Sequence, residues 1–323
     1  ISCLSLDLKK NDRIWTVPTT FVASANCGLY CGAKIDFVDI NPRTFNIDVD
    51  KLEKKLIKSK IKPKILVTVH LAGQPPDQER IKKLSKKYKF FIIEDASHAL
   101  GASRKKQKVG NCKWSDITVF SFHPVKIITT GEGGIAVTNN KKIYEKLEIL
   151  RSHGITRKKS KLKKKNLGFW YYEQQALGFN YRMNDISAAL GISQLKRMSF
   201  FVRRRNQIAK RYYKLLSDLP VILPKINKYN ISSFHLFIVL VDFSKVSKSY
   251  NEIFSNLRKK GIFINLHYLP IHLHPYYRKF GFKNGDYPVA EKYSKSAISL
   301  PIYPTLKLFD QKKIVSILKK ILY

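Results

Sequence analysis

The residues best suited to chemistry lie between positions 90 and 134. The apolar run Phe90-Phe91-Ile92-Ile93 reads as a strand and leads into Glu94-Asp95, with Ala96-Ser97-His98 behind it. In open parallel sheets, ligands bind beyond the carboxyl ends of strands, so Asp95 is either the cap of a following helix or a ligand-facing carboxylate. A second strand over 117–120 feeds Ser121-Phe122-His123-Pro124-Val125-Lys126-Ile127-Ile128-Thr129-Thr130-Gly131-Glu132-Gly133-Gly134. Most lysines of this chain have polar neighbours and belong on solvated faces. Lys126 instead has Pro124, Val125, Ile127 and Ile128 around it. Burial lowers a lysine pKa, and the neutral amine is the form that condenses with a carbonyl. The glycines beyond it permit close backbone approach to a ligand. A carboxylate after one strand and a buried lysine after another match what pyridoxal phosphate requires: a partner for the pyridinium nitrogen and a Schiff-base amine.

The elements that must hold these residues alternate. Strands are expected over 34–40, 65–69, 90–93, 117–120 and 135–138, and helices over 49–58 and 77–88. The run Ile65-Leu66-Val67-Thr68-Val69 is continuous rather than alternating, as in a strand covered on both faces. Strands separated by helices pair in parallel, so an α/β layer with a mostly parallel sheet is expected. A long helix is expected over 184–216, with Asn184 or Asp185 as cap and Ile186, Leu190 and Leu195 as an apolar stripe. Pro220 and Pro224 end it. A new strand over 237–241, a helix over 251–260 and a strand over 262–266 follow. The expected division is therefore 1–224 and 225–323.

Composition narrows the class. The chain has 323 residues, 44% hydrophobic and 12% aromatic, enough to bury a sizeable core, which excludes disorder as its main state. No apolar run approaches the roughly 20 residues of a membrane-spanning helix. Residues 1–8 lack the order of a signal peptide, with Asp7 inside the apolar stretch and Lys9-Lys10 after it. Four cysteines (Cys3, Cys27, Cys31, Cys112) are too few for a disulfide scaffold and fit a reducing cytoplasm. The net charge of +38 raises the question of a polyanion partner. The lysines, however, are spread through every element. The densest basic run, 157–165, lacks the aromatic interleaving of single-strand binders, so no dedicated nucleic-acid role is read from it.

With these residues in view, the sequence resembles the DegT/DnrJ/EryC1/StrS family of aminotransferases that act on nucleotide-linked keto sugars. The matching stretches are Thr19-Thr20-Phe21-Val22-Ala23-Ser24-Ala25-Asn26, Glu94-Asp95-Ala96-Ser97-His98-Ala99-Leu100-Gly101 and Ser121 through Gly134. Arg151-Ser152-His153-Gly154-Ile155 and Gly178-Phe179-Asn180-Tyr181-Arg182-Met183-Asn184-Asp185 continue the match. The resemblance implies a fold-type-I pyridoxal-phosphate-dependent transferase: a mostly parallel sheet flanked by helices, and a smaller α+β C-terminal domain. It also implies a homodimer with shared active sites.

The roles it implies agree with the chemistry above. Lys126 forms the Schiff base and then shuttles the proton, Asp95 keeps the pyridine nitrogen protonated, and His98 sits by the phenolic oxygen. Phe21, otherwise an ordinary core residue, stacks on the ring. Ser121 binds the phosphate and Asn180 reaches it from the other subunit. Arg182, His153 and His267 contact substrate. His267, His272 and His274 are not read as a metal site, because no Cys or carboxylate lies close in sequence and Pro270 and Pro275 preclude one helical face.

The C-terminal stretches, from His267 through Tyr277, Phe282 through Pro288 and Ala297 through Pro304, resemble the pseudaminic-acid branch of that family. That branch implies L-glutamate as donor and C4 of a UDP-linked 4-keto-6-deoxy-N-acetyl hexose as acceptor. The alternatives are another keto sugar, or a cofactor-binding regulator without turnover. Family dehydratases carry histidine in place of the Schiff-base lysine, so Lys126 argues against them. The family's Ser-Gly-Thr phosphate loop has no counterpart in these residues. It is expected upstream of Ile1, making the chain an N-terminally truncated large domain.

Overall fold

A computed structural model describes residues 1–164 and 168–323. Its centre is a six-stranded sheet built from β1 (Arg13–Thr16), β2 (Lys34–Phe37), β3 (Ile65–Val69), β4 (Phe91–Asp95), β5 (Ile117–Ser121) and β6 (Gly134–Val137). The spatial order is β2-β1-β3-β4-β5-β6. All neighbours are parallel except β6, which runs antiparallel to β5 with Ser121 opposite Gly134. The mostly parallel sheet expected above is therefore present, closed on one side by a single reversed strand.

The helices follow from capping and stripe. In α2 (Val49–Lys58), the Asp48 carboxylate accepts from the Asp50 and Lys51 amides, and Val49, Leu52 and Leu56 face inward. Asp77 caps α3 (Gln78–Tyr88), which buries Ile81 and Leu84. A short α1 (Ala23–Leu29) precedes them, and α4 (Lys141–Leu150) is capped by Asn140. Trp15, Ile40, Leu52, Leu66, Ile81 and Ile92 share one apolar cluster between sheet and helices.

Four readings of the sequence need correcting. The strand β1 was not anticipated: only Ile14 and Trp15 are apolar within its four residues, too short a run to stand out, yet it lies between β2 and β3. The helix expected over 184–216 is two, α5 (Asp185–Lys196) and α6 (Met198–Leu215), joined at Arg197. Asn184 does cap α5, accepting from the Ser187 amide over 2.8 Å. The α5 stripe is not buried in the chain: Ile186 is 86% exposed, and Leu190 and Leu195 are also exposed, as is Ile192 beside them. Finally, 262–266 forms no strand. Ile262 and Ile264 are buried in the expected alternation, but only Asn265 makes a bridge, to Ser299.

The C-terminal part pairs β7 (Phe237–Val241) antiparallel with β8 (Ala297–Leu300). Both are covered by α7 (Tyr250–Lys259) and α8 (Leu308–Leu322), and Ile208, Ala209 and Tyr212 of α6 join the same core. No helix among the described residues is long and apolar enough to cross a membrane. In the basic run, Lys158 pairs with Glu148 at 2.7 Å and Lys161 with Glu145 at 2.9 Å, while Lys165 lies outside the described residues.

Candidate active site

Asp95 is the last residue of β4 and is half-buried. No helix follows it, so its carboxylate caps none. Instead Oδ2 accepts from Ser24 Oγ at 2.5 Å, and Oδ1 accepts from Ser97 Oγ at 2.6 Å and the Ser97 amide at 3.1 Å. Ser24 lies on α1 and is further tied to Thr20 Oγ1 at 2.9 Å. Hydrogen bonds to both oxygens fix the direction in which the carboxylate faces. Asp95, Ser24 and Ser97 line a cleft of about 720 Å³ whose wall also includes Gly133, Asn180 and Arg182.

Lys126 sits in the loop between β5 and β6, its amide bonded to the His123 carbonyl at 2.9 Å. Burial pushes its pKa down, against the opposing pull of the Asp95 charge. Its field reaches three imidazoles, those of His98, His235 and His267. All three are held below the ordinary histidine range by burial, His267 to about 4. The amine is thus among neutral rings with one carboxylate in range, an environment suited to a nucleophilic lysine.

The structure brings several of the remaining residues to this centre. His98 is buried; its Nε2 lies 3.2 Å from the Tyr268 hydroxyl and its Nδ1 has no hydrogen-bond partner among the described residues. His267 Nδ1 is 2.8 Å from Ser299 Oγ. Phe21 is not a core residue: it is 60% exposed, with its ring centroid 6.2 Å from that of Tyr268. Ser121 ends β5, half-buried, where its Oγ accepts from the His123 amide at 3.4 Å. Asn180 and Arg182 are exposed along the cleft, and Asn180 bridges to Ser152 beside exposed His153. His272 is buried and bonded to Glu291 at 2.9 Å, away from the Ser299 contact of His267.

Three contributors were not singled out from the sequence. Ser24 lies within the Thr19 to Asn26 stretch, one helical turn after Thr20, and that spacing was the available signal. Tyr268 follows His267 directly. His235, a lone histidine entering an apolar strand, carried no signal of its own.

The donor set fits pyridoxal phosphate. It offers a half-buried amine of lowered pKa, a carboxylate fixed by two hydroxyls and an exposed aromatic face. It also holds buried polar atoms, Thr19 Oγ1 and His98 Nδ1, that have no partner among the described residues.

Residues 1–319 match the DegT/DnrJ/EryC1/StrS aminotransferase family. The chain belongs to that family, whose members are pyridoxal-phosphate-dependent sugar aminotransferases. Over 315 residues it is 38% identical to the UDP-4-amino-4,6-dideoxy-N-acetyl-beta-L-altrosamine transaminase of Campylobacter jejuni, covering 95% of this chain and 80% of that protein. The structure of PseC from Helicobacter pylori, an aminotransferase involved in the biosynthesis of pseudoaminic acid, superposes with a TM-score of 0.87 at 33% identity. That match covers 99% of this chain and 84% of PseC. Spr1654 of Streptococcus pneumoniae in its PLP form gives a TM-score of 0.87 at 30% identity, covering 99% and 83% of the two chains.

Proposed function

We propose that this sugar aminotransferase moves the amino group of L-glutamate to C4 of a UDP-linked 4-keto-6-deoxy-N-acetyl hexose, forming UDP-4-amino-4,6-dideoxy-N-acetyl-β-L-altrosamine. The observation that carries the reading is the half-buried Lys126 amine within range of the Asp95 carboxylate, in a chain 38% identical to a transaminase of that name. When bound, pyridoxal phosphate supplies the electrophilic carbon and the electron sink.

Lys126 would hold the cofactor and, once displaced, carry a proton between the substrate carbon and the cofactor C4′. Burial supports this, because an amine of lowered pKa is the better base near neutrality. Asp95 keeps the ring nitrogen protonated, His98 serves the phenolic oxygen, Phe21 stacks on the ring and Ser121 takes the phosphate. Arg182, His153 and His267 contact the sugar nucleotide. Residues 1–224 carry the cofactor, and 225–323 form the small domain.

The active form is a homodimer in which Asn180 serves the partner's phosphate site. Supporting this, α5 buries none of its residues within the chain, and Asn180 lies just before it. An exposed apolar helix face of that kind marks an interaction surface.

Product analysis tests the substrate. Incubation of the PLP-loaded protein with glutamate and the UDP-linked 4-keto sugar is expected to yield 2-oxoglutarate and the 4-amino sugar, identified by mass spectrometry and NMR. Amination of a GDP-linked 4-keto sugar alone would favour a sibling activity. PLP binding with no amine transfer to any keto sugar would favour a regulator.

A further inference from the structure

His98 depends on a segment more than a hundred residues later in the chain. The Ser233 hydroxyl donates to the His98 carbonyl at 2.7 Å, and the His235 ring lies against the His98 ring with centroids 4.4 Å apart, tilted by 40°. The contact is close enough to need a glycine. At Gly73, φ is +99°, and an added Cβ would collide with Ser233 Oγ and sit 2.9 Å from the His98 carbonyl oxygen. The segment is anchored in turn by Arg205. Its buried guanidinium donates from Nη1 to the carbonyls of Phe234 and His235, each at 3.1 Å, and of Ile302 at 2.9 Å.

We infer that His235 is a positioning residue: its ring, carried on a backbone that Arg205 and Ser233 pin to the His98 turn, backs the His98 imidazole and holds it in place with Nε2 toward Tyr268. The groups facing His98 are Lys126, His235, His267 and Tyr268. A protonated His98 would stand beside the Lys126 charge with no carboxylate bonded to it. Packing by His235 keeps water off the ring and so keeps it neutral. Lys126 is then left as the group that accepts the proton. The consequence for turnover rests on the aminotransferase reading above; the structural content does not.

The test uses the apo protein first. NMR of the ring carbons and nitrogens in histidine-labelled protein is expected to show His98 uncharged throughout the ordinary histidine range in the native chain. In His235→Leu, which lacks a flat face, His98 is expected to titrate near its ordinary range, whereas His235→Phe keeps the native behaviour. Ser233→Ala is the milder second variant and shifts His98 in the same direction. Thermal melts establish that each variant is folded. In the loaded enzyme, His235→Leu is expected to lower kcat on the order of tenfold with KM changed less than about twofold. The inference is overturned if His98 titrates in the native chain, or if folded His235→Leu and Ser233→Ala both leave its signals unchanged. Neither result depends on which sugar is the substrate.

Discussion

Ser24 Oγ donates to Asp95 Oδ2 across 2.5 Å, joining α1 to the end of β4 over 71 positions of sequence. The serine fixes which way the half-buried carboxylate faces. Ser24→Ala is expected to leave Asp95 held only by Ser97 and to weaken PLP binding about tenfold, equivalent to ~1.4 kcal/mol. Fluorescence titration of the apo protein with PLP measures this. An unchanged Kd would mean that Ser97 suffices.

Lys126→Arg retains charge but cannot condense with the aldehyde. The visible Schiff-base band is expected to vanish and turnover to fall by more than about a thousandfold, while the fold is retained. A band that survives in this variant would remove Lys126 from the chemistry.

Glu94 lies beside Asp95 in β4 but is buried, where its Oε2 accepts from Thr118 Oγ1 at 2.7 Å. Burial raises its pKa from 4.5 to about 7. Between those values the folded state binds more protons than the unfolded chain, so stability falls as pH rises through that window and stays reduced above it. Glu94→Gln is expected to remove this penalty, because the amide carries no charge to desolvate. At pH 8 the variant should be more stable by about 2–3 kcal/mol, and below about pH 4 the two proteins should converge. Denaturant melts at both pH values provide the comparison.

The double substitution Ile186→Asp with Ile192→Asp places two charges on the exposed face of α5. Sedimentation is expected to show a dimer for the native protein and a monomer for the variant. Activity should be lost along with the dimer, because Asn180 would no longer reach a second site. A native protein that sediments as a monomer, or a monomeric variant with full activity, would contradict the shared-site reading.

Much of the site could be read from the sequence for local reasons. Asp95 follows a continuous apolar strand, and Lys126 stands out against a lysine background because its neighbours are apolar. The α5 stripe was equally visible, but its direction was not: periodicity marks a buried face without saying whether the same chain or another molecule covers it. The break at Arg197 left no signal either, since no proline or glycine falls between Asn184 and Met198 except Gly191, which lies within α5. His235 and Arg205 were beyond reach for another reason. Their importance comes from what folding places opposite them, and nothing next to them in sequence records it.

The Arg205 anchor has a bearing on how the protein is made. Ile302 supplies one of the three carbonyls that hold the segment against His98. A nascent chain can therefore lay down its parallel strands early, but the fully fastened His98 turn must wait until residue 302 has left the ribosome. The His98 turn is locked by a carbonyl that follows it by more than two hundred positions in the sequence.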